Sequence, residues 1–161
     1  MGGGAYAGSM RELVVHGVRV EMPSGIPMLL LKELHGRRAL PIWIGAAEAA
    51  AIANALEGVE PPRPMTHDLL ASVIEAFGHN LDEVRITALS EGTFYAQLVV
   101  DSEQISARPS DAVALALRCG APIYGSDELI DEVGVEIAAE GDDEVEKFRE
   151  FLDNVNPEDF E

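Results

Sequence analysis

The sequence predicts an α+β domain: a mixed β-sheet built from hairpins and helix crossovers, with helices packed over it and an acidic C-terminal helix. Three observations carry that expectation. Short runs rich in β-branched residues alternate between apolar and polar positions and come in adjacent pairs. Between them lie alanine- and leucine-rich stretches, each closed by a glycine: Gly58, Gly78 and Gly120. The run L-P-I-W-I at 40–44 is apolar without alternation, as expected of a strand covered on both faces.

Residues 12–22 read as the first strand and 27–34 as the second. His35-Gly36-Arg37-Arg38 turns the chain into a third strand, 39–44. Gly45 breaks that strand, and the alanines of 46–57 favour a helix closed by Gly58 in the left-handed conformation. Pro61, Pro62 and Pro64 stiffen the next connection. Thr66 is placed as the N-cap of a helix reaching Phe77, with Met65 and Leu70 spaced for a hydrophobic staple. Strands at 84–89 and 93–100 flank the turn signal S-E-G-T, and 104–107 is a further short strand. Ser110 is placed as the cap of a helix over 111–119, followed by a short strand at 122–124 and a short helix at 127–133. Residues 142–154 are amphipathic, with Val145, Phe148, Phe151 and Leu152 on one face and acids crowding the first turn, where the helix dipole favours them. Residues 1–9, with four glycines, offer nothing to bury and read as a tag or frayed leader. That leaves 10–155 as one domain and 156–161 as a tail.

A length of 161 residues suits a single core without covalent staples. The lone cysteine, Cys119, excludes a disulfide framework and a cysteine-rich zinc site, and points to a reducing cytoplasm. No apolar run approaches the roughly 20 residues of a membrane span. The net charge is −18, but 15 acids and two bases fall after residue 125, so most of the acidity belongs to the C-terminal segment. No basic stripe is present to grip a duplex backbone. A P-loop signature is absent as well, which excludes that class of nucleotide hydrolase.

One internal echo stands out. Arg63-Pro64 is followed by Thr66, Asp68, an apolar helix and Gly78; Arg108-Pro109 is followed by Ser110, Asp111, an apolar helix and Gly120. The pattern fits either a duplicated strand–helix unit or coincidence. The groups it carries suit phosphoryl chemistry. His67 is a candidate acid or base near neutral pH, with Asp68 and Asp111 as catalytic carboxylates. Arg63 and Arg108 can hold phosphate oxygens, and Thr66 and Ser110 sit where free helix-start amides bind anions. Glu48, Asp68 and Asp111, each in a first helical turn, are the candidate ligands for Mg2+ or Mn2+. The same residues also fit plain structural roles: Thr66 and Ser110 as caps, Asp68 and Asp111 as dipole-compensating acids, and Arg63–Asp68 and Arg108–Asp111 as ion pairs bracing the Arg-Pro turns. His16, His35 and His79 read as surface residues, Trp43 as core and Cys119 as a small buried apolar residue. Phe94 and Tyr95 fall on opposite faces of one strand.

Four ordered motifs carry a resemblance: L-P-I-W-I-G-x-x-E-A from Leu40, E-P-P-R-P-x-T-H-D-L-L from Glu60, G-T-F-Y-A from Gly92 and A-R-P-S-D-A-V-A-L-A-L-R from Ala107. Across about residues 10–155 the chain resembles the bifunctional nuclease family, single-domain actinobacterial type. The resemblance implies hydrolysis of DNA and RNA. The missing basic groove favours single strands over duplex. The expected partners are nucleic acid and a second copy of the chain, as a homodimer or higher homo-oligomer, with no membrane. The alternative is a non-catalytic binding or regulatory module that recognises a small anion or a protein partner through the same helix starts.

Overall fold

The computed structural model of the chain describes residues 8–137. Strands β1 (Met10–Glu21), β2 (Ile26–Glu33) and β3 (Arg38–Trp43) form an antiparallel meander. Helices α1 (Ala46–Leu56) and α2 (Thr66–Ala76) carry the chain to a second meander, β4 (Leu81–Ser90), β5 (Thr93–Val100) and β6 (Glu103–Ala107). Helix α3 (Pro109–Cys119) then crosses to β7 (Ile123–Ser126), which enters between the meanders, parallel to β4 and antiparallel to β1. Helix α4 (Asp127–Val133) leads to the short edge strand β8 (Val135–Glu136) beside β3. The strand order among the described residues is β6-β5-β4-β7-β1-β2-β3-β8. The fold is the expected mixed sheet of hairpins and helix crossovers.

Strand register explains the core. Leu31 opposes Leu40, Leu29 opposes Ile42, Val84 opposes Leu98 and Ile86 opposes Ala96, and all eight are buried. Period-2 geometry puts them on the face that meets the helices. Helix α3 is the centre of the packing: it touches α1 and α2 on one side and β4 and β5 on the other. Residues Ala112 to Ala116 are at most 1% exposed, the condition of a helix apolar on every side. Its small alanines let the neighbouring elements approach closely. The S-E-G-T turn joins β4 to β5 with positive φ at both central residues, Glu91 (52°) and Gly92 (79°), the two-residue geometry that matches strand twist.

Several expectations are corrected. Met65, not Thr66, is the N-cap of α2, because the Asp68 carboxylate reaches back to accept a hydrogen bond from the Met65 amide at 3.0 Å. The Met65–Leu70 staple is therefore out of frame, and both side chains stay exposed. Ser110 lies inside α3 rather than capping it. Pro109, whose fixed φ suits the first helical position, moves the start upstream to Arg108. Trp43 is 57% exposed and not core: it ends β3 opposite Met28, on the face away from Ile42. The L-P-I-W-I strand is thus fully covered on one face only. Cys119 is exposed at the end of α3. The Arg-Pro echo also fails to mark equivalent units, since α3 follows a strand and α2 follows a helix. The amphipathic stretch at 142–154 and the tail at 156–161 lie outside the described residues, as do residues 1–7 of the leader.

Candidate functional site

The starts of α1, α2 and α3 converge. His67, in the first turn of α2, is 8% exposed, and its Nε2 lies 2.9 Å from Asp111 Oδ1 in the first turn of α3. The other Asp111 oxygen accepts from Arg108 Nε at 2.9 Å. Arg108 also reaches Glu48 Oε2 in the first turn of α1 at 3.2 Å through Nη2. One guanidinium therefore ties together the openings of α1 and α3, while the imidazole adds that of α2.

The proton on His67 follows from its partner. Burial alone would raise the Asp111 pKa, but hydrogen bonds from His67 and Arg108 outweigh it and hold the carboxyl below its ordinary range. An ionised carboxylate only accepts, so His67 donates from Nε2; in the neutral imidazole the acceptor is then Nδ1. Nδ1 makes no hydrogen bond with any described residue. Arg108 likewise keeps Nη1 unbonded among the described residues, so part of its donor fork remains free.

Behind this pair stands a residue that sequence reasoning missed. Arg118 is 13% exposed; it donates to Asp68 Oδ1 at 2.7 Å, to Ala114 O at 2.8 Å and to Ala51 O at 3.1 Å. It thereby locks α1, α2 and α3 together. Its hydrogen bond, outweighing partial burial and helped by the Met65 amide, holds Asp68 below the usual carboxylate range. The signal was spacing: Arg118 lies seven residues, two helical turns, after Asp111 on the same helix.

Two cavities meet at Arg108. The larger, about 490 Å3, is lined by Glu48, Thr66, His67, Asp111 and Arg118 among apolar neighbours from α1 and α2. The other, about 350 Å3, is bounded by Trp43, Gly45, Phe94, Arg108 and Ser110. Of the sequence candidates, His67, Asp111, Arg108, Glu48 and Thr66 thus share one cavity. Asp68 supports it from behind, and Ser110 faces the neighbouring one. Arg63 is exposed and pairs with no described residue, so the expected Arg63–Asp68 pair is replaced by Arg118–Asp68. The Arg108–Asp111 pair forms as expected.

The proposed carboxylate set for Mg2+ or Mn2+ does not close. Glu48 and Asp111 are both bonded to the Arg108 guanidinium, and Asp68 is turned to Arg118. Among the described residues no three acidic, histidine or cysteine side chains gather as metal ligands. The Arg108 guanidinium lies between the Glu48 and Asp111 carboxylates.

The family model of the bifunctional nuclease domain matches residues 29–138, from β2 to just past β8. The chain belongs to the bifunctional nuclease domain family. An uncharacterized protein of Mycobacterium tuberculosis (strain H37Rv) is 55% identical over 94% of this chain and 98% of its own length. Bifunctional nuclease 1 of Arabidopsis thaliana is 28% identical over 71% of this chain and 38% of its own length. Bifunctional nuclease 1 of Oryza sativa subsp. japonica is 28% identical over 67% of this chain and 32% of its own length. The matched domain contains the converging helix starts and both cavities. No helix among the described residues is long and apolar enough to cross a membrane.

Proposed function

We propose that this bifunctional nuclease domain hydrolyses phosphodiester bonds of DNA and RNA, single strands above duplex, with His67 as general base and Asp111 as its orienting carboxylate. The observation that carries this reading is the 2.9 Å Nε2–Asp111 bond, which directs the opposite nitrogen, the acceptor of a neutral imidazole, to be the base in a ring that lines a cavity. A water gives its proton to Nδ1 and its oxygen bonds to phosphorus. The bond from phosphorus to the leaving oxygen breaks, that oxygen takes a proton from solvent, and the imidazolium returns its own. Arg108 supplies the positive charge that stabilises the phosphoryl oxygens, and Thr66 borders the same space.

We assign the cation's role to Arg108 rather than to Mg2+ or Mn2+, since its bonds to Glu48 and Asp111 consume the ligands a metal would use. The preference for single strands rests on a net charge of −18 and the missing basic stripe. Self-association is assigned to α2, whose Leu69 and Val73, with Phe77 at the C-cap, form an exposed apolar stripe at helical spacing. The lone free thiol of Cys119 suits a cytoplasmic protein.

The test is cleavage of a labelled single-stranded oligonucleotide by highly purified wild type and His67→Ala, each with and without chelator. Cleavage lost in the variant but indifferent to chelator supports the reading. Equal cleavage by both proteins sinks it. Binding without turnover by either would favour a regulatory module instead.

A further inference from the structure

The smaller cavity is not needed for the proton transfer just described, yet it is built like a binding site. Helices α1 and α3, 11 residues each, both open onto it through Gly45 and Arg108, and neither start has a side-chain cap. Their first-turn amides are therefore available to an acceptor. Ser110, 5% exposed, lines the cavity, and its hydroxyl makes no hydrogen bond with any described residue. Its oxygen keeps access to the cavity, where it can donate to or accept from a ligand. Two aromatic rings flank the same space: Trp43, which the fold leaves 57% exposed, and Phe94, half-buried on β5.

Polar groups for an anion at one end and open ring faces at the other describe one kind of ligand: an aromatic base attached to a phosphate. We infer that this cavity is a nucleotide subsite. The base stacks on Trp43 and Phe94, Ser110 and the α3 start bond the sugar–phosphate, and the free Nη1 side of Arg108 holds the phosphate shared with the larger cavity. A volume of about 350 Å3 suits a single nucleotide rather than a duplex segment. The Glu48 carboxylate beside Gly45 opposes the phosphate, but its bond to Arg108 offsets that charge. This inference rests on the nuclease reading by placing a base beside the scissile linkage, and it makes its own demand on binding.

Trp43 is the chain's single tryptophan, so its fluorescence reports on this cavity alone. The full chain is titrated with adenosine 5′-monophosphate, inorganic phosphate and a short single-stranded oligonucleotide. Saturable quenching by the nucleotide and by the oligonucleotide, with phosphate competing but not quenching, is the expected result. In calorimetry, with the fold checked by circular dichroism, Trp43→Ala is expected to bind the nucleotide about 10-fold more weakly and Ser110→Ala about 3- to 10-fold more weakly. His67→Ala loses cleavage but quenches as wild type does. Quenching by the oligonucleotide alone would place the preference in a polynucleotide and still support the subsite. No quenching by either, with cleavage and its KM unchanged in Trp43→Ala, overturns the subsite and leaves the nuclease reading standing. Quenching without any cleavage by wild type does the reverse.

Discussion

His67 Nε2 and Asp111 Oδ1 lie 2.9 Å apart although 44 residues separate them in the chain. The contact depends on α2 and α3 packing with their first turns level, and it fixes which imidazole nitrogen holds the proton. Asp111→Asn tests that role. The amide keeps the shape but can present its NH2 to Nε2, which would favour the wrong tautomer. We expect kcat to fall about 100-fold or more with KM changed little. An unchanged kcat would remove Asp111 from the mechanism.

Arg118 is the second point of leverage. Arg118→Met keeps most of the stem but takes the side-chain donor from the Asp68 carboxylate and the additional bonds from two helix carbonyls. Asp68 retains partial solvent access, so the cost is below that of a fully buried broken pair, about 2 kcal/mol. For a chain of this size that corresponds to a fall in Tm of about 4–8 °C. Calorimetry of Arg118→Met, Asp68→Asn and the double variant gives the coupling directly; additive losses would show that the two side chains act independently.

Acid sensitivity follows from Asp68. Its carboxyl is held below the value of about 3.9 expected in the unfolded chain, so ionisation favours the fold. The contribution is complete above the unfolded pKa and disappears as pH falls through the folded one. Asp68→Asn is therefore less stable than wild type near pH 7, and the difference shrinks once pH drops below about 4. Thermal melts of both proteins from pH 7 down through pH 4 to about pH 2 decide it. A constant gap at every pH would mean that the amide loses packing rather than charge.

Gly134 is a packing constraint. A Cβ there would overlap the Ile130 carbonyl oxygen, which belongs to backbone and cannot swing aside. Gly134→Ala should cost about 1–3 kcal/mol by displacing the end of α4, within the range of overpacked sites. Gly125→Ala meets only the flexible tips of Leu13 and Ile130 and should be milder. Denaturant melts of the two variants rank them; the reverse order would refute the assignment.

The strands and helices were legible because each is signalled locally. Alternation fixed the meanders, and glycines at positive φ closed α1, α2 and α3 near the expected positions. Helix starts were displaced by one or two residues because Pro109 and Asp68 compete with the hydroxyl residues for the capping role. Strand β8, two residues long, has too little pattern to be found. In the site, His67, Asp111 and Arg108 were readable from residue type. Arg118 was not, because its role depends on carbonyls and a carboxylate contributed by three separate helices. Trp43 was misread because an apolar run does not say where its strand ends relative to the helices above it.

Strand β7 is the keystone between the two meanders, and it arrives late. Leu13 pairs with Ile123, so the inner edge of the N-terminal half waits for a partner made 110 residues afterwards. During synthesis each half presents a bare hydrogen-bonding border until that four-residue piece slots in. A ribosome stalled before residue 123 would hold two unjoined ribbons, and nascent chains of that length are the ones most exposed to mispairing and to proteases.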